Sequence, residues 1–286
     1  MVFSTGMDEK GQVISIKEVI KGFLEEDIGI EDCTTNAIVP EDHRSKARII
    51  AKADGIIAGH CFAKEVFLLL DKEILYKEER KDGEPIKKGD MAALIEGKTR
   101  AILTGERVVL NILQRLSGIA TVTRAFVEAV EGTRIRILDT RKTSPGLRYM
   151  ERYAVRMGGG YNHRFNLSEM ALIKENHIAV AGSIKRAVEL VKVKASVPIE
   201  VEVRDMEGLR EAFEAGVDRI MLDNWDIASI KEAVLFIDSR VPIEVSGNMD
   251  IEKSSKVAQM GVDFVSVGAI THSFKALDLS LLHERA

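Results

Sequence analysis

The chain has 286 residues, 45% hydrophobic and 30% charged, with a formal net charge of −4 at pH 7. That is long enough to bury one large core or two moderate ones, and the mildly acidic balance excludes nucleic acid as a bulk partner. Its longest apolar clusters, such as Val66–Leu70, are far too short to span a bilayer, and the opening MVFSTGMDEKGQVIS holds no apolar signal segment, so a cytoplasmic protein with no membrane partner is expected.

Lys17–Glu26 reads as a helix, followed by an acidic turn through Glu26-Asp27 and Asp32-Cys33-Thr34-Thr35. Cys33 and Cys61 form neither a disulfide framework nor a zinc spacing, which suits a reducing compartment. Lys46–Ala53, Gly55–Ala58 and Leu75–Glu79 read as strands and Ala63–Leu70 as a helix, with turn signals at Asp82-Gly83 and Lys88-Gly89-Asp90. This mixture, without regular βα alternation, predicts an α+β domain. Thr104 is the expected N-cap of a helix carrying the stripe Val108, Val109, Ile112, Leu113 and Leu116, and Thr121–Val130 is expected to form a second helix.

From Arg134 onward the pattern becomes regular. Ile135–Leu138, Ile199–Val203, Arg219–Leu222, Ile243–Val245 and Phe264–Val267 read as strands. Ser183–Lys194, Met206–Ala215, Ala228–Phe236 and Ile251–Met260 read as helices between them. The last four strands recur about every 20–24 residues, the rhythm of βα units. Parallel strands joined in this way give a (β/α) barrel or an open doubly wound sheet. No GxGxxG motif opens a βαβ unit, so a barrel is favoured.

In such folds ligands bind at the carboxyl ends of the strands. Here those ends carry Asp139-Thr140-Arg141-Lys142, Lys174-Glu175-Asn176-His177, Glu200 and Glu202, Asp223-Asn224, Ser246-Gly247-Asn248, and Gly268-Ala269. Each has a plain alternative. Asn224 is expected to cap the next helix, Lys174 alone would be a surface lysine, and one of Glu200 and Glu202 would pair with a cation. Six successive ends of this kind point to a site. The SGN and VGA segments, expected at helix N-termini on adjacent strands, suit a phosphate.

The densest signal lies between Arg134 and Arg164, where eight Lys/Arg face two acids, a local charge of +6 among glycine-rich turns. Cations at such turns suit a small polyanion. A lyase or isomerase acting on a sugar phosphate would use the phosphate segments but leave this surplus of arginines without a task.

The segments EDIGIEDCTT (26–35), GERVVLNILQRLSGIAT (105–121), LDTRKTSPGLR (138–148), ERYAVRMGGGYNHR (151–164), IKENHI (173–178), EVEV (200–203), MLDN (221–224), EVSGN (244–248) and SVGAITHS (266–273) run the length of the chain. In these strings, and in their order, it resembles the quinolinate phosphoribosyltransferase family. The resemblance implies an α/β protein with an N-terminal α+β domain followed by an incomplete (β/α) barrel. The implied divisions are 1–115 with the interdomain helix, 116–273 as the barrel, and 274–286 as a C-terminal helix packing back on the N-terminal domain.

The implied reaction joins quinolinate to phosphoribosyl pyrophosphate, with Mg²⁺, giving nicotinate mononucleotide, pyrophosphate and CO₂ in de novo NAD synthesis. Substrate contacts are implied for Arg107, Thr140, Arg141, Lys142, His163, Arg164 and Lys174, with Arg107 reaching across a homodimer interface. Glu202 and Asp223 would lie by the ribose and metal, the latter contact direct or through water. Ser246, Gly247 and Asn248 with Val267, Gly268 and Ala269 would hold the 5′-phosphate. Glu202, Asp223, Lys142 and Lys174 are the catalytic candidates. The chain departs from the family pattern at Asn248, where many relatives carry glycine, and at Phe165-Asn166.

Overall fold

The computed structural model describes residues 4–7 and 13–284. The chain begins with β1 (Ser4–Met7), β2 (Val13–Ser15), α1 (Ile16–Ile28) and α2 (Cys33–Ile38), then β3 (Arg44–Ala51), β4 (Gly55–Ile56) and α3 (His60–Leu70). β5 (Leu75–Glu78), β6 (Pro85–Ile86) and β7 (Met91–Lys98) lead into the long α4 (Thr99–Ala129). β8 (Arg136–Leu138), α5 (Arg148–Met157), β9 (Ala171–Ile173), α6 (Glu175–Ala181) and α7 (Ile184–Lys194) follow. Strict alternation then sets in through β10 (Ile199–Val203), α8 (Met206–Glu214), β11 (Arg219–Asp223), α9 (Ile227–Ile237), β12 (Ile243–Ser246) and α10 (Ile251–Ala258). β13 (Phe264–Ser266), α11 (Ala269–His272) and β14 (Leu279–His283) complete the order. Two units result, one of residues 1–122, 144–159 and 274–286, the other of residues 123–143 and 160–273.

In the first unit, α1 starts at a capping box in which Ser15 and Glu18 each accept the other's backbone N–H at 3.3 Å. The acidic turn expected over 26–35 holds the end of α1 and a short α2, capped by Asp32, which accepts the Thr35 N–H at 2.9 Å. The sheet has the order β14-β3-β7-β5, all neighbours antiparallel.

Three expectations change here. Residues 274–286 were expected as a helix, but β14 is a strand paired with β3 from Leu279↔Ala51 to His283↔Ala47. Leu279 and Leu281 are buried while Leu282 is exposed; this period-two alternation suits a pleated edge and would scatter apolar residues around a helix. Next, the two helices expected around Thr104 and Thr121 are one continuous 31-residue helix, α4. Thr104 is interior to it and donates its hydroxyl to Asp32 at 2.9 Å. Gly118, the residue that weakens the helix locally, is required because a Cβ there would strike the Lys275 carbonyl. Finally, 144–159 clusters with the first unit instead of the barrel, since α5 buries Met150, Glu151, Ala154 and Val155.

The second unit is a six-stranded parallel sheet in the order β8-β13-β12-β11-β10-β9. Its first and last strands, β8 and β9, are not paired with each other. Residues following both nevertheless line one cavity, so the sheet curls into a barrel left open at that seam. Ser183, Asp205, Asp226 and Asp250 cap α7 to α10 through their side chains. The cap of α9 is thus Asp226, not Asn224 as expected.

Candidate active site

Strand alternation decides what faces the cavity. Register pairs Glu202 with Met221 and Asp223 with Ser246, so these side chains share the inner face of neighbouring strands. The strand ends enclose a cavity of about 600 Å³. It gathers Thr140, Arg141, Lys142, His163, Arg164, Lys174, Glu202, Asp223, Ser246, Gly247, Asn248, Gly268 and Ala269. Two candidates lie elsewhere. Val267 is buried and donates its backbone N–H to Leu138 at 3.0 Å. Arg107 sits exposed on α4 in the first unit and does not line the cavity. Leu172, Met221, Met249, Asn224, Ser266 and His272 are lining residues that the sequence reading did not select.

Two guanidinium groups dominate one wall. The buried Nε of Arg141 has no hydrogen-bond partner among the described residues. Arg164 donates through Nη1 to the Met170 carbonyl at 2.8 Å. Burial, then the like charge of Arg141, lowers the Arg164 pKa. Adjacent, partly dehydrated cations with an unused donor are a site for an anion. Lys142 is held through its carbonyl by the Thr271 hydroxyl at 2.8 Å. Opposite it, a Cβ on Gly268 would lie 3.1 Å from both Lys142 Cδ and His272 Nε2, so glycine keeps that side open.

The lining also carries carboxylates. Lys174 Nζ meets Glu202 at 2.9 Å. Asp223 accepts from Asn224 Nδ2 at 2.8 Å, and Asn224 Oδ1 accepts from Asn248 Nδ2 at 3.3 Å. The loops after β11 and β12 interlock tightly. Asn224, Gly247 and Asn248 have φ of 61°, 92° and 47°, and a Cβ on Gly247 would lie 2.5 Å from Asn224 Cγ. Asn248 therefore occupies a left-handed position, which asparagine tolerates better than other side chains bearing a Cβ. The loops differ from the sequence expectation in one respect. Gly268 directly precedes α11, whereas Ser246–Asn248 stops short of α10, whose N-terminus is already taken by Asp250.

His163, an expected substrate contact, lines the cavity while its largely buried ring also faces two glutamates of the barrel interior. Its Nε2 lies 3.1 Å from Glu200 and 3.4 Å from Glu244. The Arg164 amide donates to its Nδ1 at 2.7 Å. Burial alone would lower the His163 pKa, but Glu200 and Glu244 raise it to about 9. Burial and the charge of Glu244 push Glu200 up to about 7. With the Arg164 amide on Nδ1, it is Nε2 that faces the two carboxylates. Glu244 was overlooked in the sequence, although its inward position two residues before Ser246 marks it.

His163, Glu200 and Glu244 bring one possible metal-ligand atom each within 4.8 Å of one another. All three are buried, and Arg219 already neutralises Glu244 at 2.9 Å. That does not suit Mg²⁺, which keeps several waters. Glu202 and Asp223 offer hard oxygen donors on the cavity wall beside room for water and substrate oxygens, and they do suit it.

The fold and this site define a class: an α/β barrel with cationic and carboxylate side chains gathered in one cavity at its strand ends. The family models agree. The N-terminal domain of quinolinate phosphoribosyl transferase matches residues 32–117, and its C-terminal domain matches 119–282. The chain belongs to the quinolinate phosphoribosyl transferase family.

It is 44% identical over 270 residues to a probable nicotinate-nucleotide pyrophosphorylase [carboxylating] of Bacillus subtilis, covering 94% of this chain and 93% of that one. A mitochondrial quinolinate phosphoribosyltransferase [decarboxylating] of Nicotiana tabacum is 41% identical over 287 residues, covering 93% and 81%. Among solved structures, NadC from Streptococcus pyogenes superimposes with a TM-score of 0.90 at 44% identity, covering 94% and 97%.

Proposed function

We infer that this protein transfers the phosphoribosyl group of phosphoribosyl pyrophosphate to quinolinate with loss of CO₂, yielding nicotinate mononucleotide and pyrophosphate for de novo NAD synthesis. The observation carrying this reading is that the neighbouring cations Arg141 and Arg164 line the same cavity as the carboxylates of Glu202 and Asp223. Quinolinate is a planar dianion, and the two guanidinium groups match its carboxylates. Leu172, Met221 and Met249 supply apolar lining suited to its ring. Thr140, Lys142 and Lys174 add polar and cationic contacts, and Ser246, Gly247, Asn248, Gly268 and Ala269 suit the 5′-phosphate.

Such a clamp fixes the pyridine nitrogen against the ribose C1. As the bond to pyrophosphate breaks, positive charge develops on the ribose, and Glu202 and Asp223 stabilise it while orienting its hydroxyls. We place Mg²⁺ at the same carboxylates, where, when bound, it neutralises pyrophosphate charge. Alkylation leaves the ring nitrogen cationic, so when the C2–carboxylate bond breaks and CO₂ departs, the electron pair stays on C2 as a carbanion that the adjacent positive charge stabilises until it takes up a proton. The protein's part in that step is a fixed, shielded ring, with Lys142 and Lys174 as ammonium groups able to return a proton to C2.

Arg107 completes the reading in a homodimer. It is exposed on α4, outside the unit that holds the cavity, which suits delivery from a second copy. Mixing an Arg107→Ala chain with an Asp223→Ala chain is expected to restore part of the activity through hybrid dimers; no recovery would remove Arg107 from the site. Cys33 and Cys61, both free thiols, fit a cytoplasmic setting.

An assay following CO₂ and nicotinate mononucleotide, with quinolinate and nicotinate compared as acceptors, tests the function. Product only from quinolinate supports it; turnover of nicotinate alone overturns it. Arg141→Ala and Arg164→Ala should each raise quinolinate KM roughly 10- to 150-fold, the equivalent of a charge-assisted hydrogen bond. Unchanged quinolinate kinetics in both would dismiss the clamp.

A further inference from the structure

Asn224 directly follows the carboxylate Asp223. The capping task expected of it falls to Asp226, whose side chain accepts the Ser229 N–H at 2.8 Å. The Asn224 carboxamide is thereby left for another purpose, on a main chain that is fixed. The Asn224 N–H donates to the Ser246 carbonyl at 3.0 Å, and the buried indole of Trp225 donates to the Val203 carbonyl at 2.9 Å. Gly247 passes so close that a Cβ there would lie 2.7 Å from the Asn224 nitrogen. With the backbone held, only the two side-chain torsions of Asn224 remain to be set.

Polarity sets them. A carboxylate offers only acceptors, so the Asn224 atom facing Asp223 is its amide nitrogen, at 2.8 Å. That turns Oδ1 the other way, toward Asn248, whose facing atom must then be a donor. The Asn248 Nδ2 lies 3.3 Å from it. One carboxylate thus dictates the sense of both amides, and the series runs from Asn248 through Asn224 to Asp223 without a reversal. Asn248 adopts a φ of 47° to take part. Glycine would meet that backbone without strain, and what asparagine adds is the carboxamide.

We propose that Asn224 and Asn248 are positioning residues that act in series to fix the direction of the Asp223 carboxylate toward the ribose. Asn248 acts on Asp223 only through Asn224. This rests on the assignment of Asp223 to the ribose. Both asparagines are exposed and line the cavity, so water competes for their amides until substrate displaces it. The effect therefore falls on turnover more than on folding.

Steady-state kinetics of the full-length enzyme, with each substrate varied in turn, test the proposal. Asn224→Gly and Asn248→Gly each keep the left-handed backbone and remove one amide. Asn224→Gly should lower kcat about tenfold and Asn248→Gly about fivefold, with quinolinate KM within about twofold of the parent. Added to Asn224→Gly, or to Asp223→Ala, the Asn248→Gly change should cost nothing further. Asn248→Asp keeps the shape but can only accept. It draws the Asn224 nitrogen to itself and sets Oδ1 against Asp223, so kcat at saturating phosphoribosyl pyrophosphate should fall below that of Asn248→Gly.

An Asn248→Gly loss that persists without Asn224, or that appears only as a raised KM for phosphoribosyl pyrophosphate, would overturn the proposal. So would Asn248→Asp turning over as fast as Asn248→Gly. A crystal structure of Asn248→Gly reads the geometry without reference to the reaction. An Asn224 carboxamide turned from Asp223 supports the series, and one unmoved at 2.8 Å overturns it. Should Asp223→Ala keep the parental kcat, it is the role of Asp223 that fails, and the crystal structure still reports on the two asparagines separately.

Discussion

Replacing Asp223 with alanine is expected to lower kcat by about 10²- to 10³-fold while quinolinate KM changes by less than about threefold. Asp223 ends β11 and lines the cavity, and Asn224 Nδ2 holds it at 2.8 Å. A carboxylate fixed there contributes little to the ground-state pyridine but meets the positive charge that forms on the ribose. Its loss therefore falls on the transition state. Glu202→Ala should behave similarly but add a second effect, since Lys174 at 2.9 Å loses its partner and with it a defined position. Single-turnover measurement of C1–N bond formation separates this step from product release. Wild-type turnover in Asp223→Ala would remove the residue from the catalytic set.

The second large effect concerns stability. Arg115→Ala should destabilise the protein by about 3 kcal/mol, the low end for removing one partner of a buried ion pair, because Glu151 is buried while Arg115 is half-buried. Glu151, on α5, is fully buried and meets Arg115 at 2.5 Å. Arg115 also reaches the Ser144 hydroxyl at 2.5 Å and lies 4.9 Å from the Phe274 ring centroid, and Glu151 accepts the Ser144 N–H at 3.2 Å. Without Arg115 the Glu151 charge is stranded away from water. The double change Arg115→Met with Glu151→Leu should recover most of the loss, because an apolar pair of similar volume carries no desolvation penalty. Urea denaturation monitored by circular dichroism measures both, and an Arg115→Ala protein within about 1 kcal/mol of the parent would show that the pair is not decisive.

The surplus of arginines between Arg134 and Arg164 shows how far residue type alone can reach. A local charge of +6 pointed correctly to a basic region near the cavity, yet its members divide by position. Arg141 and Arg164 line the site. Arg134 pairs with Asp263 at 3.5 Å, and Arg136 lies 5.2 Å from the Tyr161 ring centroid. Arg148, Arg152 and Arg156 belong to α5, in the other unit. Helix α5 escaped the sequence reading because glycine turns flank it and its cations mask a short apolar stripe. The C-terminal strand escaped it because five residues with only three leucines, Leu279–His283, are ambiguous between helix and strand without the partner β3.

What the sequence by itself determined was the alternation of β-branched runs with amphipathic helices, and with it the strand ends. Period-two patterning in EVEV determined that Glu200 and Glu202 share one face, and Gly268 and Gly247 marked places where backbone can come close. These are local properties, set by sterics and side-chain direction over a few residues. Only the tertiary structure decided which inward glutamate meets water and which meets His163. Glu200 and Glu202 are two residues apart on one strand with identical local signals, and one is sealed in the barrel interior while the other opens on the cavity. Depth along the barrel axis separates them, and depth follows from how neighbouring strands are staggered, which no local pattern encodes.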